Sequence, residues 1–104
     1  MTIRITYPTA VVLSALAAGH GYGFEIVDVT GLSAGTVYPI LRRLESERHV
    51  RSKWEQVARA RADGRPPRRN YRLTASGKAL LDDALARYPG VGRVLDAGAE
   101  GARA

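Results

Sequence analysis

From Pro8 onward the chain turns apolar, with Val11, Val12, Leu13, Ala15, Leu16 and Ala17 in close succession. This pattern predicts a well-buried first helix, closed by Gly19 and Gly21. The preceding Thr2 to Tyr7 alternates polar and apolar side chains; six residues leave a short strand or an arm open, and residues 1–7 are read as an N-terminal arm. Phe24, Ile26, Val27 and Val29 predict a second, shorter helix, stopped by Thr30-Gly31. A third helix opens at Ser33, whose hydroxyl is expected to accept a hydrogen bond from an amide two or three residues on. Val37, Ile40, Leu41 and Leu44 then recur at helical spacing and define its buried face. Gly35, Tyr38, Pro39 and Arg42 fall on the opposite face, with Arg43 at the margin. Pro39 inside this pattern predicts a kink or an irregular first turn, because it removes a hydrogen bond and crowds the carbonyl of Gly35.

The period changes at Val50. Val50, Ser52, Trp54 and Gln56 alternate with polar residues, which predicts a strand through Val57, and Asn70 to Leu73 reads as its partner. Gly64, Pro66 and Pro67 mark the intervening residues 58–69 as a loop. Thr74 caps a last helix with Leu80, Leu81, Ala84, Leu85 and Tyr88 along one side, terminated by Pro89-Gly90. Residues 91–104, rich in Gly, Ala and Arg, are expected to form a largely flexible tail in which Val91, Val94 and Leu95 could dock weakly. The predicted order is α-α-α-β-loop-β-α, mainly helical with one small β-hairpin. That is the plan of a winged helix-turn-helix domain over residues 8–74, followed by a C-terminal helix at 75–90.

Charge sharpens this picture. The chain has 104 residues, 16 Lys+Arg and 10 Asp+Glu, a formal net charge of +6. Arg51, Lys53, Arg59, Arg61, Arg65, Arg68, Arg69 and Arg72 lie in one stretch with only Glu55 and Asp63, so this segment carries an excess equal to that of the whole chain. A merely solvated surface would scatter cations among acids; concentrated cations point to a polyanion. The chain has no cysteine, which excludes disulfides and thiolate metal sites. No apolar run approaches the roughly 18 residues of a membrane span, and no signal peptide is evident, so a cytoplasmic location and no membrane partner are expected. His20 and His49 lack the neighbours of a metal site, so neither metal nor cofactor is expected. Catalysis is a poor reading, since the chain has no nucleophile elbow, phosphate-binding glycine loop or paired-carboxylate pocket.

Three segments, in order, resemble the signatures of the PadR family of transcriptional regulators. They are His20-Gly21-Tyr22-Gly23-Phe24-Glu25-Ile26; Leu32 to Glu45 with its internal Tyr38-Pro39 pair; and Ser52-Lys53-Trp54-Glu55 combined with Arg65 to Gly77. The resemblance spans roughly residues 8–85 and is closest to the compact branch with a single C-terminal helix. It departs after the third helix, where Arg48-His49-Val50 stands in place of the family's Gly-Leu-Val type turn. The resemblance implies a homodimer that binds double-stranded DNA and represses a neighbouring operon, often with release by a small-molecule effector.

In such a protein residues 33–47 form the recognition helix, which enters the major groove from its N-terminal half. Ser33, Gly35, Thr36, Tyr38 and Arg42 are then the candidate base and phosphate contacts. On the wing, residues 58–69, the candidates are Arg59, Arg61, Arg65, Arg68 and Arg69, with Arg65 and Arg68 foremost. Tyr22 resembles a position near the DNA backbone, with partial burial at the helix start as the alternative. Trp54 is read as strand packing. Val12, Leu16, Leu80, Leu81, Leu85 and Tyr88 are the expected dimer surface. Two other readings remain open: a basic protein that coats nucleic acid without sequence preference, and a winged helix that binds another protein.

Overall fold

The computed structural model describes residues 5–92. The chain begins helix α1 (Tyr7–Ala17) one residue earlier than an arm at 1–7 allows. The Thr6 hydroxyl accepts from the Thr9 amide at 3.3 Å, and Pro8 sits in the first turn, where its missing N–H costs nothing. The first four residues lie outside the described part. Ala10 to Leu13, Ala15 and Leu16 are all buried, so α1 is the central post of the domain. It packs against every other long element.

Helix α2 (Gly23–Thr30) ends at Gly31, whose φ of 74° closes the helix through a bond from its amide to the Val27 carbonyl. Helix α3 (Ala34–Ser46) follows after three residues, and Val37, Leu41 and Leu44 bury their side chains against α1 and α2. The predicted apolar face is therefore the observed one. The helix runs through Pro39 without a break. Strands β1 (Val50–Trp54) and β2 (Arg69–Leu73) pair antiparallel in the register Val50↔Leu73, Ser52↔Tyr71, Trp54↔Arg69. The Glu55 amide still donates to the Arg68 carbonyl at 2.7 Å, and residues 56–57, expected to prolong β1, leave the ladder. Gly21 adds a short third edge by accepting from the Tyr71 amide at 2.7 Å, and Tyr22 bridges Asn70.

Two expectations need correction. The stretch between the strands is not all loop: it contains helix α4 (Val57–Ala62). Ala58, Ala60 and Ala62 favour a helix, and Ala60 is fully buried, which docks that helix onto the hairpin tip. The C-terminal side also starts differently from a free tail. Helix α5 (Ala75–Arg87) is capped by the Thr74 hydroxyl, which accepts from the Gly77 amide, and beyond Pro89-Gly90 the side chain of Val91 is fully buried in the core. Val94 and Leu95 fall outside the described residues.

The expected dimer surface divides in two. Val12, Leu16 and Leu80 are 0%, 8% and 5% exposed, because they fill the core of their own chain. They have little or no surface left for a partner. Leu81, Leu85 and Tyr88 are half-buried at its margin, and Tyr88 meets the exposed Tyr7 ring edge-on at 5.7 Å.

Candidate nucleic-acid interface

The exposed face of α3 is assembled by small residues on neighbouring elements. Gly21 and Gly23 are buried at the start of α2. A methyl on Gly23 would overlap the ring of Tyr38, and one on Gly21 would overlap the Asn70 amide. The bare backbone of Gly23 thus seats the Tyr38 ring, which keeps 41% of its surface exposed. Ser33, Gly35 and Arg42 are exposed beside it and Thr36 is half-buried. Ser33 does occupy the N-cap, yet its hydroxyl pairs with that of Thr36 at 3.1 Å and does not accept from a backbone amide. The first-turn amides of Ala34 and Gly35 have no acceptor within the helix, so this end of α3 presents free donors suited to an anion.

The wing is tied to this surface at two points. At the first, Glu45 of α3 accepts hydrogen bonds from Ser52 and, at 3.4 Å, from Arg69 Nη2. Arg69 Nε donates to Ser52 Oγ at 2.7 Å, and its guanidinium lies 5.6 Å from the Trp54 ring centroid. Arg69 is consequently a strut between recognition helix and hairpin. Trp54, expected to pack, is 61% exposed over this strut. Its neighbour Tyr71 is partly buried, which pushes its phenol above the usual value; Arg69 opposes this shift and Glu45 adds to it.

At the second point, Glu55 holds the tip. Its side chain is only 7% exposed and is gripped by both terminal nitrogens of Arg65, one of them at 2.9 Å, and by Arg68 at 3.4 Å. Arg65 also reaches Asp63 at 3.0 Å. The hydrogen bond and charge of Arg65 hold the Glu55 carboxyl down to about 2, against the opposing effect of burial. Arg68 then lies 4.3 Å above the Tyr22 ring, itself stacked on Phe24, so the tip is clamped to the start of α2. The Tyr22 amide donates to Glu25 at 3.2 Å.

The eleven candidate contacts therefore fall into three sets. Ser33, Gly35, Thr36, Tyr38 and Arg42 share the exposed face of α3. Arg59 and Arg61 are exposed on α4, without carboxylate partners among the described residues. Arg65, Arg68 and Arg69 are bound to carboxylates of the chain itself, and Tyr22 lies beneath Arg68. Sequence reasoning missed Glu55 and Glu45 as organisers. The only local signal was that Glu55 is one of two acids in a segment of eight cations.

The model of the PadR-like transcriptional regulator family matches residues 12–83. The chain belongs to this family. It is a DNA-binding transcriptional regulator, and the family's members are regulators and not enzymes. Among solved structures, it is similar to a PadR family transcription regulator from Clostridium difficile, at 26% identity and a TM-score of 0.68 over 88% of this chain and 96% of that one. A PadR family regulator from Eggerthella lenta is 28% identical, with a TM-score of 0.60 over 86% and 84% of the two chains. A MepR mutant from S. aureus, 24% identical, shares the fold with a TM-score of 0.64 over 89% of this chain and 64% of that one. None of the curated proteins matches. No helix among the described residues is long and apolar enough to cross a membrane.

Proposed function

We propose that this PadR-family chain is a homodimeric repressor acting on an inverted-repeat operator. Residues 33–47 enter the major groove, and the wing, residues 58–69, lies on the backbone or in the minor groove. The observation that carries this reading is the exposed face of α3, where Ser33, Gly35 and Tyr38 lie at the end with free helix amides and Arg42 follows one turn beyond Tyr38. Tyr38 and Arg42 are the base-reading candidates, with guanine or a phosphate as the partner of Arg42. On the wing, Arg59 and Arg61 carry the charge left over for phosphates, while Arg65 and Arg68 shape the tip that presents them. Phosphate contacts of this kind set affinity and register.

Dimerisation is ascribed to the outer side of α5, with Leu81, Leu85 and Tyr88, together with Tyr7 at the start of α1. Two-fold pairing would place the recognition helices about 34 Å apart, one turn of DNA, and so favours an inverted repeat. Family likeness also supports release by a small-molecule effector and work in the cytoplasm, where the chromosomal operator lies.

A binding titration at two salt concentrations tests the reading, comparing the gene's own upstream DNA with scrambled duplex of equal length. A preference of about a thousandfold at physiological salt is expected. Tyr38→Ala and Arg42→Ala should weaken operator binding more than scrambled-duplex binding, whereas Arg61→Ala should weaken both alike. Equal affinity for both duplexes would overturn the sequence-specific reading, and a monomer at the operator-binding concentration would overturn the dimer.

A further inference from the structure

The two faces of the hairpin differ in what neutralises them. Val50, Ser52 and Trp54, with their partners Leu73, Tyr71 and Arg69, face α3 and the core. The other face carries Arg51, Lys53 and Arg72, all exposed. The register sets Arg51 directly opposite Arg72, an arrangement of like charges that destabilises a strand pair. Helix α4 brings Arg59 to the same side. Together they line an open cleft of about 1160 Å³ that also includes Asn70 and Tyr22. The two carboxylates in this cleft, Glu55 and Asp63, are already held by Arg65 and Arg68. Among the described residues, none of the four cations has a carboxylate within ion-pair distance.

A cationic surface that works against its own strand pairing and has no partner within the chain is suited to an external anion. The cleft is larger than the usual 300–1,000 Å³ of a small-molecule site, and it is open where such a site would enclose an apolar ring. Its charges are spread along two strands and a helix, which fits a run of phosphates better than a single compact anion. It also lies on the opposite side of the hairpin from the Glu45 contact with α3.

We propose that Arg51, Lys53, Arg59 and Arg72 form a second polyphosphate-binding surface, which engages the backbone of the bound duplex beyond the stretch read by α3. This rests on the DNA-binding reading above. The surface adds affinity and salt dependence without adding sequence choice, since backbone contacts carry no base information.

The test is the salt dependence of duplex binding by the triple variant Arg51→Gln, Lys53→Gln, Arg72→Gln. Each lost phosphate contact flattens the slope of log affinity against log salt by about 0.9, so the triple variant should lose about 2.7. The loss should be the same on operator and scrambled duplex, the ratio of the two affinities should stay unchanged, and the footprint should shorten at its flanks. Circular dichroism checks the fold. Should the triple variant not fold, Arg51→Gln alone serves, with an expected change of about 0.9.

The control is Lys78→Gln with Arg87→Gln on α5, which lowers net charge away from the cleft and should leave the slope in place. An equal change per charge in this control would overturn the proposal, as would an unchanged slope in the triple variant. Loss of inorganic tripolyphosphate binding with an unchanged DNA slope would also overturn it, and would reassign the cleft to a free phosphorylated molecule. Absence of salt-dependent duplex binding by the unaltered protein would overturn the DNA-binding reading itself, and this surface with it.

Discussion

The root and the tip of the wing are held by different physics. At the root, shape decides: the carbonyl of His49 passes over Gly77 of α5, and the Thr74 and Ser76 hydroxyls donate to the Arg48 carbonyl at 2.8 and 3.1 Å. Nothing larger than hydrogen fits between the chain segments. At the tip, charge decides: one carboxylate, Glu55, gathers Arg65 and Arg68, and the latter clamps the tip onto Tyr22. A basic wing needs such an anchor, because cations alone would drive it apart. Its arginines accordingly divide into those spent on internal carboxylates and those left free.

The sharpest way to break the root is one methyl group. Gly77→Ala would place a carbon on top of the His49 carbonyl oxygen and would also touch Leu73. Backbone on one side and a helix on the other leave little room to yield, so overpacking should cost about 3 kcal/mol. A thermal melt should show the midpoint lowered by at least 10 °C, roughly what such a cost implies for a domain of this size. A shift of only a degree or two would mean that α5 moves freely away from the hairpin.

The corresponding change at the tip is Glu55→Gln. It keeps the side chain's shape but removes the charge that Arg65 and Arg68 share. The expected result is several-fold faster tryptic cleavage at Arg59 and Arg61 with a nearly unchanged global midpoint, since α4 contributes only Ala60 to buried surface. Equal loss at both levels would show that root and tip unfold as one unit.

Acid should separate the two regions without any substitution. Because the Glu55 carboxyl is lowered from 4.5 to about 2 in the folded chain, its contribution is fully present above 4.5 and is lost as the pH falls through 2. Tip cleavage, read with an acid-active protease, should therefore rise between pH 4.5 and 2 in the unaltered chain. In Glu55→Gln the same rise should be missing. An unchanged pH profile in that variant would assign the acid sensitivity to other carboxylates.

What could be read from the sequence follows the same division. Elements set by apolar shape or by a local cap were legible: the buried face of α3 at Val37, Leu41 and Leu44, the antiparallel hairpin and the cap at Thr74 all match their residue patterns. Elements held by long-range charge were not. Glu55 and Arg65 are ten residues apart across a helix, and no local period connects them. Helix α4 is masked in the sequence by Gly64, Pro66 and Pro67, although three alanines in six residues favour a helix. The position of Ser33 points its hydroxyl to the backbone, and Thr36, one turn on, takes it instead. The place of Trp54 in the wing points to strand packing, whereas the strand register leaves it over Arg69 at the open edge.

The smallest effect belongs to the root as well. Just beyond α3 stands Arg48 at φ 65°, the only non-glycine residue with positive φ among those described. The amides of Arg48 and His49 bond back to the carbonyls of Glu45 and Leu44 at 3.0 and 2.8 Å, the closure in which glycine is usual. An L-residue in this conformation costs roughly 1–2 kcal/mol, part of which glycine would return as unfolded-state entropy. Arg48→Gly should therefore stabilise the chain by up to about 1 kcal/mol, raising the melting midpoint by a few degrees. Tryptic cleavage at Arg59 and Arg61 should not change, because the relief is at the root. A lowered midpoint would mean that the Arg48 side chain makes contacts worth more than the strain of its backbone.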